Sequence, residues 1–470
     1  MGQEIDRARF EPQDFERFAS RLRQETQDLH ALADRGALSA RGEVGGLELE
    51  VWLVDGDGFP CPLNEPFLER LADPKVVHEL SQFNIELNVE QQALAGEGLR
   101  RLEDDLSATW RACERVAAEL DANVVAIGIL PTLRDAQLSP QYMSTSARYR
   151  ALNEQVLRLR SGRPIELHLV GAESLRASHA DVMLEAAGTS LQVHIQVPAK
   201  SAARALNAAS ILSAPSVALA ANAPFLFGRR LWAETRIPLF EQAVDVGGPE
   251  RRVTFGSSYV RDTLLELFVE NERHYAPILP LDQGPEAGAF AHLRLHNGTI
   301  WRWNRPLVGF DADGTPHLRV EHRPMSAGPS LVDVVANMAF FVGLLAWIMH
   351  VEPAPEQQLP FSSAKTNFYE AARLGLNARV DWLDGKRWEL RRLVLDVLLP
   401  LAQSGLERLG VRAAEVDRYL EIVEARAASG QTGTVWQCAF VDRHGADFGA
   451  LVRAYQERCS AGTPVHAWSL

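Results

Sequence analysis

The chain has 470 residues, 46% of them apolar and 23% charged, a composition that suits a globular protein with an ample core and excludes a disordered or fibrous one. Its formal net charge of -13, with Lys and Arg scattered rather than clustered, offers no basic field to a nucleic-acid backbone. Four well-separated cysteines, Cys61, Cys113, Cys438 and Cys459, form neither a CxxC pair nor a dense disulfide framework, which suits a reduced, cytoplasmic protein.

The first residues, MGQEIDRARFEPQDFERF, are polar, lack the apolar stretch of an export signal, and carry Asp6 where myristoylation requires Ser or Thr. Apolar residues then recur at three- and four-residue intervals over 15–35 and again over 99–120, which predicts amphipathic helices packed on a sheet. Between them GGLELEVWLVD alternates as a strand does and runs into the turn signal Asp-Gly-Asp-Gly, and FNIELNVE repeats the alternation. Further strands are predicted at 123–129, 190–197, 290–296, 298–303 and 317–323, enough for one mixed or antiparallel sheet. The Ala- and Leu-rich stretch 201–221 reads as a helix that Pro215 kinks or ends, followed by a loop at Ala-Asn-Ala-Pro-Phe. The most apolar run, 338–349, is shorter than the roughly 20 residues a bilayer crossing needs, so it reads as a buried core helix and no membrane partner is expected. Beyond Gly375 helical patterns take over, broken by GQTGTVWQ at 430–437; residues 1–375 are read as a catalytic domain and 376–470 as a helical region packed on it.

Because side chains alternate across a strand, Glu48 and Glu50 share one face while Leu47, Leu49 and Val51 share the other. The same alternation groups Glu86 with Asn88 and Glu90, Gln192 with His194 and Gln196, and Arg319 with Glu321 and Arg323. One such face usually marks a solvated surface, and a lone histidine is usually a hydrogen-bonded structural residue. Residue choice argues otherwise here: a solvated face favours Lys, Thr and Ser, whereas these faces hold Glu, Asn, Gln and His and no lysine. Carboxylates converging in a concavity lose hydration and repel one another unless a cation compensates. Oxygen donors with one histidine suit Mg or Mn better than a structural zinc. Magnesium of this kind accompanies substrate phosphates, and Arg323 beside Glu321 offers a planar fork to a phosphate oxygen. The sequence has no GxxxxGK[ST], GxGxxG or HExxH motif, so a nucleotide must be held on the sheet itself. The arginine-rich pieces Arg148-Tyr149, Arg229-Arg230, Arg236 and Trp301-Arg-Trp-Asn-Arg305 are either surface stacking pairs or binders of carboxylate and phosphoryl groups. His292, Arg294 and His296 share one more predicted strand face, without deciding whether they line the site.

Taken together and in order, GLELE (46–50), FNIELN (83–88), Arg148-Tyr149, SLQVH (190–194), ANAPF (221–225) and RVEHR (319–323) resemble the glutamate-cysteine ligase family. The resemblance is to its second, bacterial and plant-like branch of carboxylate-amine ligases, over roughly residues 45–437. It implies an α+β, glutamine-synthetase-like catalytic fold, with a curved antiparallel sheet forming a funnel, flanking helices and a helical C-terminal region. It also implies Glu48, Glu50, Glu86, His194 and Glu321 as metal ligands, with Glu90 a further candidate, and Arg323 and Arg236 as catalytic residues facing phosphate or substrate. Arg323, Arg148, Arg302 and Arg305 are the expected contacts of ATP, which enters with two or three Mg (or Mn) ions.

The reaction so implied is attack of a glutamate-like carboxylate on the γ-phosphate of ATP, after which cysteine or another amine displaces phosphate from the acyl phosphate. Small molecules are thus the expected partners, a homo-oligomer is left open, and the substrates that name the family would make this a step of glutathione biosynthesis. Two departures, Ala-Glu-Thr-Arg236 in place of Ser-x-Arg and the run Trp301-Arg-Trp-Asn-Arg305, fall on the substrate side. Rival readings are a metal-dependent phosphotransferase or kinase of related fold, a nucleotide-binding protein without chemistry, and a metal-dependent hydrolase that needs no nucleotide.

Overall fold

The structure, a computed structural model, describes residues 10–248, 251–282, 284 and 288–470. At its centre lies an antiparallel sheet of seven strands. These are β1 (Val44–Val54), β2 (Val76–His78), β3 (Asn84–Ala93), β4 (Asn123–Val125), β5 (Leu191–Val197), β6 (Asn304–Phe310) and β7 (Pro316–His322). Their order is β6-β7-β5-β1-β3-β2, and β4 pairs with the end of β1 beyond the reach of β5.

Alternation gives each strand two chemistries. Leu47, Leu49, Val51, Ile85, Leu87, Leu191, Val193 and Val320 are buried on one face, and each such side chain contributes about 1.5–3 kcal/mol on leaving water. Helix Ala202–Leu219 and helix Leu331–Ile348 cover this face; His322 of β7 stacks on Phe341 with ring centroids 3.9 Å apart. The other face carries the acids, amides and arginines. A one-residue slip of any strand would exchange the two faces, so burial fixes the register that assembles the polar side.

The run read as a core helix is Leu331–Ile348, apolar enough by composition to cross a membrane, but 83% of it is buried inside the protein. It crosses helix Leu399–Arg408 at Gly343 and Gly405, where a Cβ on Gly405 would stand 1.8 Å from the Gly343 carbonyl oxygen, so no side chain fits.

Three expectations are corrected. The segment 290–296 is not a strand but helix Ala291–Asn297; HLRLHN alternates apolar and polar residues, but too briefly to fix a period. The strand predicted at 298–303 shrinks to Trp301–Arg302, and the long strand is β6 beside it. Pro306 hid β6 from the sequence reading, and it is tolerated because β6 is an edge strand. The strand expected at 123–129 stops at Val125. Pro215 lies within helix Ala202–Leu219 without ending it; Ser213 and Ser216 hydroxyls donate to the carbonyls of Ala209 and Leu212 beside it.

Residues 376–470 are mostly helical and are fastened to the rest by buried polar contacts. Arg426 Nη2 donates to Asp333 Oδ1 at 2.5 Å, with side chains 1% and 0% exposed. Asp333 Oδ2 also accepts the Val465 N–H at 2.9 Å. Asn222, from the Ala-Asn-Ala-Pro loop, donates through Nδ2 to Tyr455 Oη, and Gln437 Nε2 donates to Asn222 Oδ1, both at 2.8 Å. Within the stretch 430–437 the helix connection is only 430–432: Gly430, at φ +74°, ends one helix and Thr432 caps the next, Gly433–His444.

Candidate active site

Register alone brings the predicted residues into rows. Arg305 faces Glu321, Glu321 faces His194, and His194 faces Gly46 across β6, β7, β5 and β1. One step along, Gln192 faces Glu48 and Glu48 faces Asn88; one step further, Glu50 faces Glu86.

Two acidic groups result. In the first, His194 Nε2 lies 3.3 Å from Glu48 Oε1 and 3.7 Å from Glu321 Oε1. Both ring nitrogens of His194 are buried and neither has a hydrogen-bond partner. A buried imidazole that reaches two carboxylates only at 3.3 and 3.7 Å is poorly satisfied unless a further ligand completes it, and a divalent cation fits. In the second group, carboxylate oxygens of Glu50, Glu79 and Glu86 lie within 4.8 Å of one another. Burial, then the charges of Glu48 and Glu50, pushes Glu86 up to about 7. Burial, then Glu50, Glu86 and Glu185, carries Glu79 well above the ordinary carboxylate range, and burial raises Glu50 too, against the pull of Arg323 and Arg236. Three carboxyls that resist ionisation together are a second place where the donor set fits a hard cation.

The arginines differ in what they do. Arg305 forks onto Glu321, with Nε to Oε2 at 2.5 Å and Nη2 to Oε1 at 2.8 Å. Burial alone would raise Glu321, but Arg305 and Arg323 hold it at about 2. Arg323 donates to Gln192 Oε1 and stands 3.4 Å from Glu321, while its buried Nε has no partner. Arg236 is 4% exposed; its Nε lies 3.3 Å from Glu234 and its Nη2 donates to the Pro324 carbonyl. Burial pulls the Arg236 guanidinium below its ordinary value, with Glu234 and Glu50 opposing. Glu50 is itself oriented by the Ser190 N–H and Gln192 Nε2, both at 2.7 Å.

A cavity of about 610 Å³ opens above the first group, lined by Glu48, His194, Glu321, Arg305, Arg319, Arg294, Arg148 and Lys75 among others. Its size suits a nucleotide.

Some predicted residues are placed elsewhere. Glu90 sits exposed at the cavity rim, outside both groups, where Glu90 and Gln91 together oppose Gly46 in a bulge of β3. Arg302, expected at ATP, turns away: Nη2 donates to Asn271 Oδ1 at 2.9 Å and lies 3.3 Å from Glu270. His292 and His296 also face away, towards Glu25 and the Asn271 carbonyl, while Arg294 of the same helix reaches the cavity. The sequence reading missed Glu79, Glu185 and Glu234. Burial, then Glu50, pushes Glu185 up to about 7, and burial does the same to Glu234 against Arg236. Glu79 and Glu185 lie on no long strand, so alternation gave no signal; Glu234 stands two residues from Arg236, which was the available hint.

Compared with known proteins, the sequence profile of glutamate-cysteine ligase family 2 matches residues 44–457. No curated protein matches the chain by sequence. Among solved structures the chain is similar to the glutamate–cysteine ligase of Francisella tularensis in complex with AMP, with TM-score 0.53 and 11% identity over 92% of this chain and 91% of that one. It is also similar to a bifunctional glutathione synthetase from Pasteurella multocida, with TM-score 0.57 and 15% identity over 93% of this chain and 55% of that longer one. These likenesses bear on the fold, which is the curved antiparallel sheet with flanking helices and a helical C-terminal region expected of a glutamine-synthetase-like catalytic body. Because the profile spans the sheet, both acidic groups and the arginine fork, the chain belongs to glutamate-cysteine ligase family 2, the ATP-dependent ligases that form a C–N bond.

Proposed function

We propose that the protein activates a glutamate-like carboxylate with ATP and joins it to an amine, cysteine being the first to test. The observation that carries this reading is the buried arginine fork on Glu321 beside Glu48 and His194 in the wall of one cavity, with a second acidic group, Glu50, Glu79 and Glu86, next to it on the same side of the sheet. Glu48, His194 and Glu321 would hold one divalent cation, and Glu50, Glu79 and Glu86 another. Bound there, Mg or Mn supplies positive charge that offsets the transferring phosphoryl group.

The remaining work falls to the chain. Arg305 keeps Glu321 ionised and in a single rotamer. Ser190 N–H and Gln192 do the same for Glu50. Arg323, with one buried donor unspent, and Arg236 face the charge that develops as the carboxylate oxygen attacks the γ-phosphorus and ADP departs. An amine nitrogen then attacks the acyl carbon and inorganic phosphate leaves.

The test is phosphate release from Mg-ATP with glutamate and a panel of amines, cysteine included, each component omitted in turn. Release is expected only when nucleotide, acid and amine are all present. Release with the acid alone, yielding a stable phosphorylated product, would mean a kinase; binding of ATP with no release under any combination would mean a protein without this chemistry.

A second expectation follows from the raised carboxyls. Glu86 and Glu185 titrate near 7 when folded against 4.5 for a free glutamate, so the fold favours their protonated forms. Their contribution to stability is full below pH about 4.5 and is lost as pH rises through about 7. Cation binding at Glu86 removes part of that loss. The rise in Tm on adding saturating Mg is therefore expected to be larger at pH 8 than at pH 6; equal rises at both would contradict the second cation site.

A further inference from the structure

The run Trp301-Arg-Trp-Asn-Arg305 contains one residue whose setting the cations and nucleotide do not explain. Trp303 is 1% exposed, yet it is not simply packed. Its Nε1 donates to Glu241 Oε1 at 2.9 Å, and the same oxygen accepts the Tyr369 hydroxyl at 2.6 Å. Phe240 and Phe368 confine its ring from the sides, with centroids 5.9 and 5.7 Å away.

Held in this way, the indole lies 5.5 Å from the Arg236 guanidinium, within cation–π range. The Trp303 carbonyl also accepts the Arg323 N–H at 3.0 Å. One residue thus touches both arginines that the ligase reading puts at the reacting groups, Arg236 through its ring and Arg323 through its main chain. The other sides of Arg236 are closed by Glu234, the Pro324 carbonyl and Gly188, where an added Cβ would come within 2.7 Å of Arg236 Cγ. A free arginine holds about 2 kcal/mol of rotamer entropy, so an enclosure of this kind removes before the reaction what would otherwise be lost during it.

A tryptophan that only filled core would be served by any ring and would need no acid beneath it. Glu241 is instead kept there at a cost, since burial pushes its carboxyl above the ordinary range, and the Tyr369 hydroxyl holds the same oxygen that accepts the indole N–H. We propose that Trp303 is a positioning residue, whose indole, locked by Glu241 and Tyr369, sets the orientation of Arg236 toward the substrate carboxylate and the transferring phosphoryl group. This rests on the ligase reading above.

The experiment is a double-mutant cycle on the full chain, with kcat and KM measured by phosphate release with Mg-ATP, glutamate and cysteine, or the acid and amine that the omission assay identifies. Arg236→Met is expected to lower kcat by about 10²-fold or more. Trp303→Leu is expected to lower kcat by at least about 10-fold, with KM for ATP nearly unchanged, and Trp303→Phe to lie between. In the Arg236→Met background Trp303→Leu should cost nothing further. Should Trp303→Leu melt below the assay temperature, Tyr369→Phe takes its place in the cycle with the same expectation. Additive losses, or a silent Trp303→Leu, would overturn the positioning role while leaving Arg236 its own. A silent Arg236→Met, or an unmodified protein that turns nothing over, would remove the ligase role of Arg236 and this inference together.

Discussion

Replacing Glu321 by Gln is expected to lower turnover by at least about 10³-fold while the protein stays folded. Glu321 is the junction of the site: one carboxylate oxygen lies 3.7 Å from His194, and both accept from Arg305. Glutamine preserves volume and one acceptor, so packing on β7 should survive. What is lost is the negative charge that answers Arg305 and Arg323 and that completes the donor set with Glu48. The buried Arg305 keeps the fields of Glu48 and Glu86, which limits the stability loss to the order of 1–3 kcal/mol. Phosphate release together with a melting curve checks this. A variant that retains most of its activity would contradict the assignment of Glu321, and one that fails to fold would show that its role is structural.

Asp333→Ala is expected to cause the largest stability loss, about 3–5 kcal/mol. Four hydrogen bonds end on this carboxylate: Arg426 Nη2 at 2.5 Å, the Ser330 hydroxyl at 2.7 Å, the Ser330 N–H at 3.4 Å and the Val465 N–H at 2.9 Å. Alanine leaves Arg426, 1% exposed, without its counter-charge and removes one half of the capping box of helix Leu331–Ile348. Arg426 retains Asn337 and the Leu219 carbonyl, which satisfy donors but do not neutralise it. Denaturant unfolding with an unchanged m-value measures the loss; a cost below about 1 kcal/mol would mean that solvent reaches the pair.

Alternation was the signal that made half of the site legible. Glu48, Glu50, Glu86, Gln192, His194, Arg319 and Glu321 lie on strands long enough for a period of two to be read, Arg323 follows one residue past the end of β7, and strand pairing did the rest. Glu79 was invisible because it lies in a short connection between β2 and β3, where no period exists. Arg302 and Arg305 looked equivalent in sequence; only the break between Trp301–Arg302 and β6 sends one to Glu270 and the other to Glu321. Glu90 obeyed the alternation in sequence, but the bulge it shares with Gln91 interrupts the regular pairing at that point. The helical faces were read correctly for 15–35 and 99–120, which are Pro12–Asp34 and Gly98–Glu119, because charged and apolar residues separate there over several turns.

The polar bonds of Asn222 and Asp333 bear on how the chain is made. Asn222 leads through its own N–H to Glu234, and from there to Arg236. Its side chain is held by Tyr455 and Gln437, and Asp333 by Arg426 and Val465, all supplied by segments synthesised later. A nascent chain that has not yet delivered them has all seven strands of the sheet in its sequence but lacks the Tyr455 and Gln437 bonds that hold Asn222, and the Arg426 and Val465 bonds to Asp333. The strands that carry the two acidic groups are thus synthesised before the segments whose bonds to Asn222 complete the setting of Glu234 and Arg236.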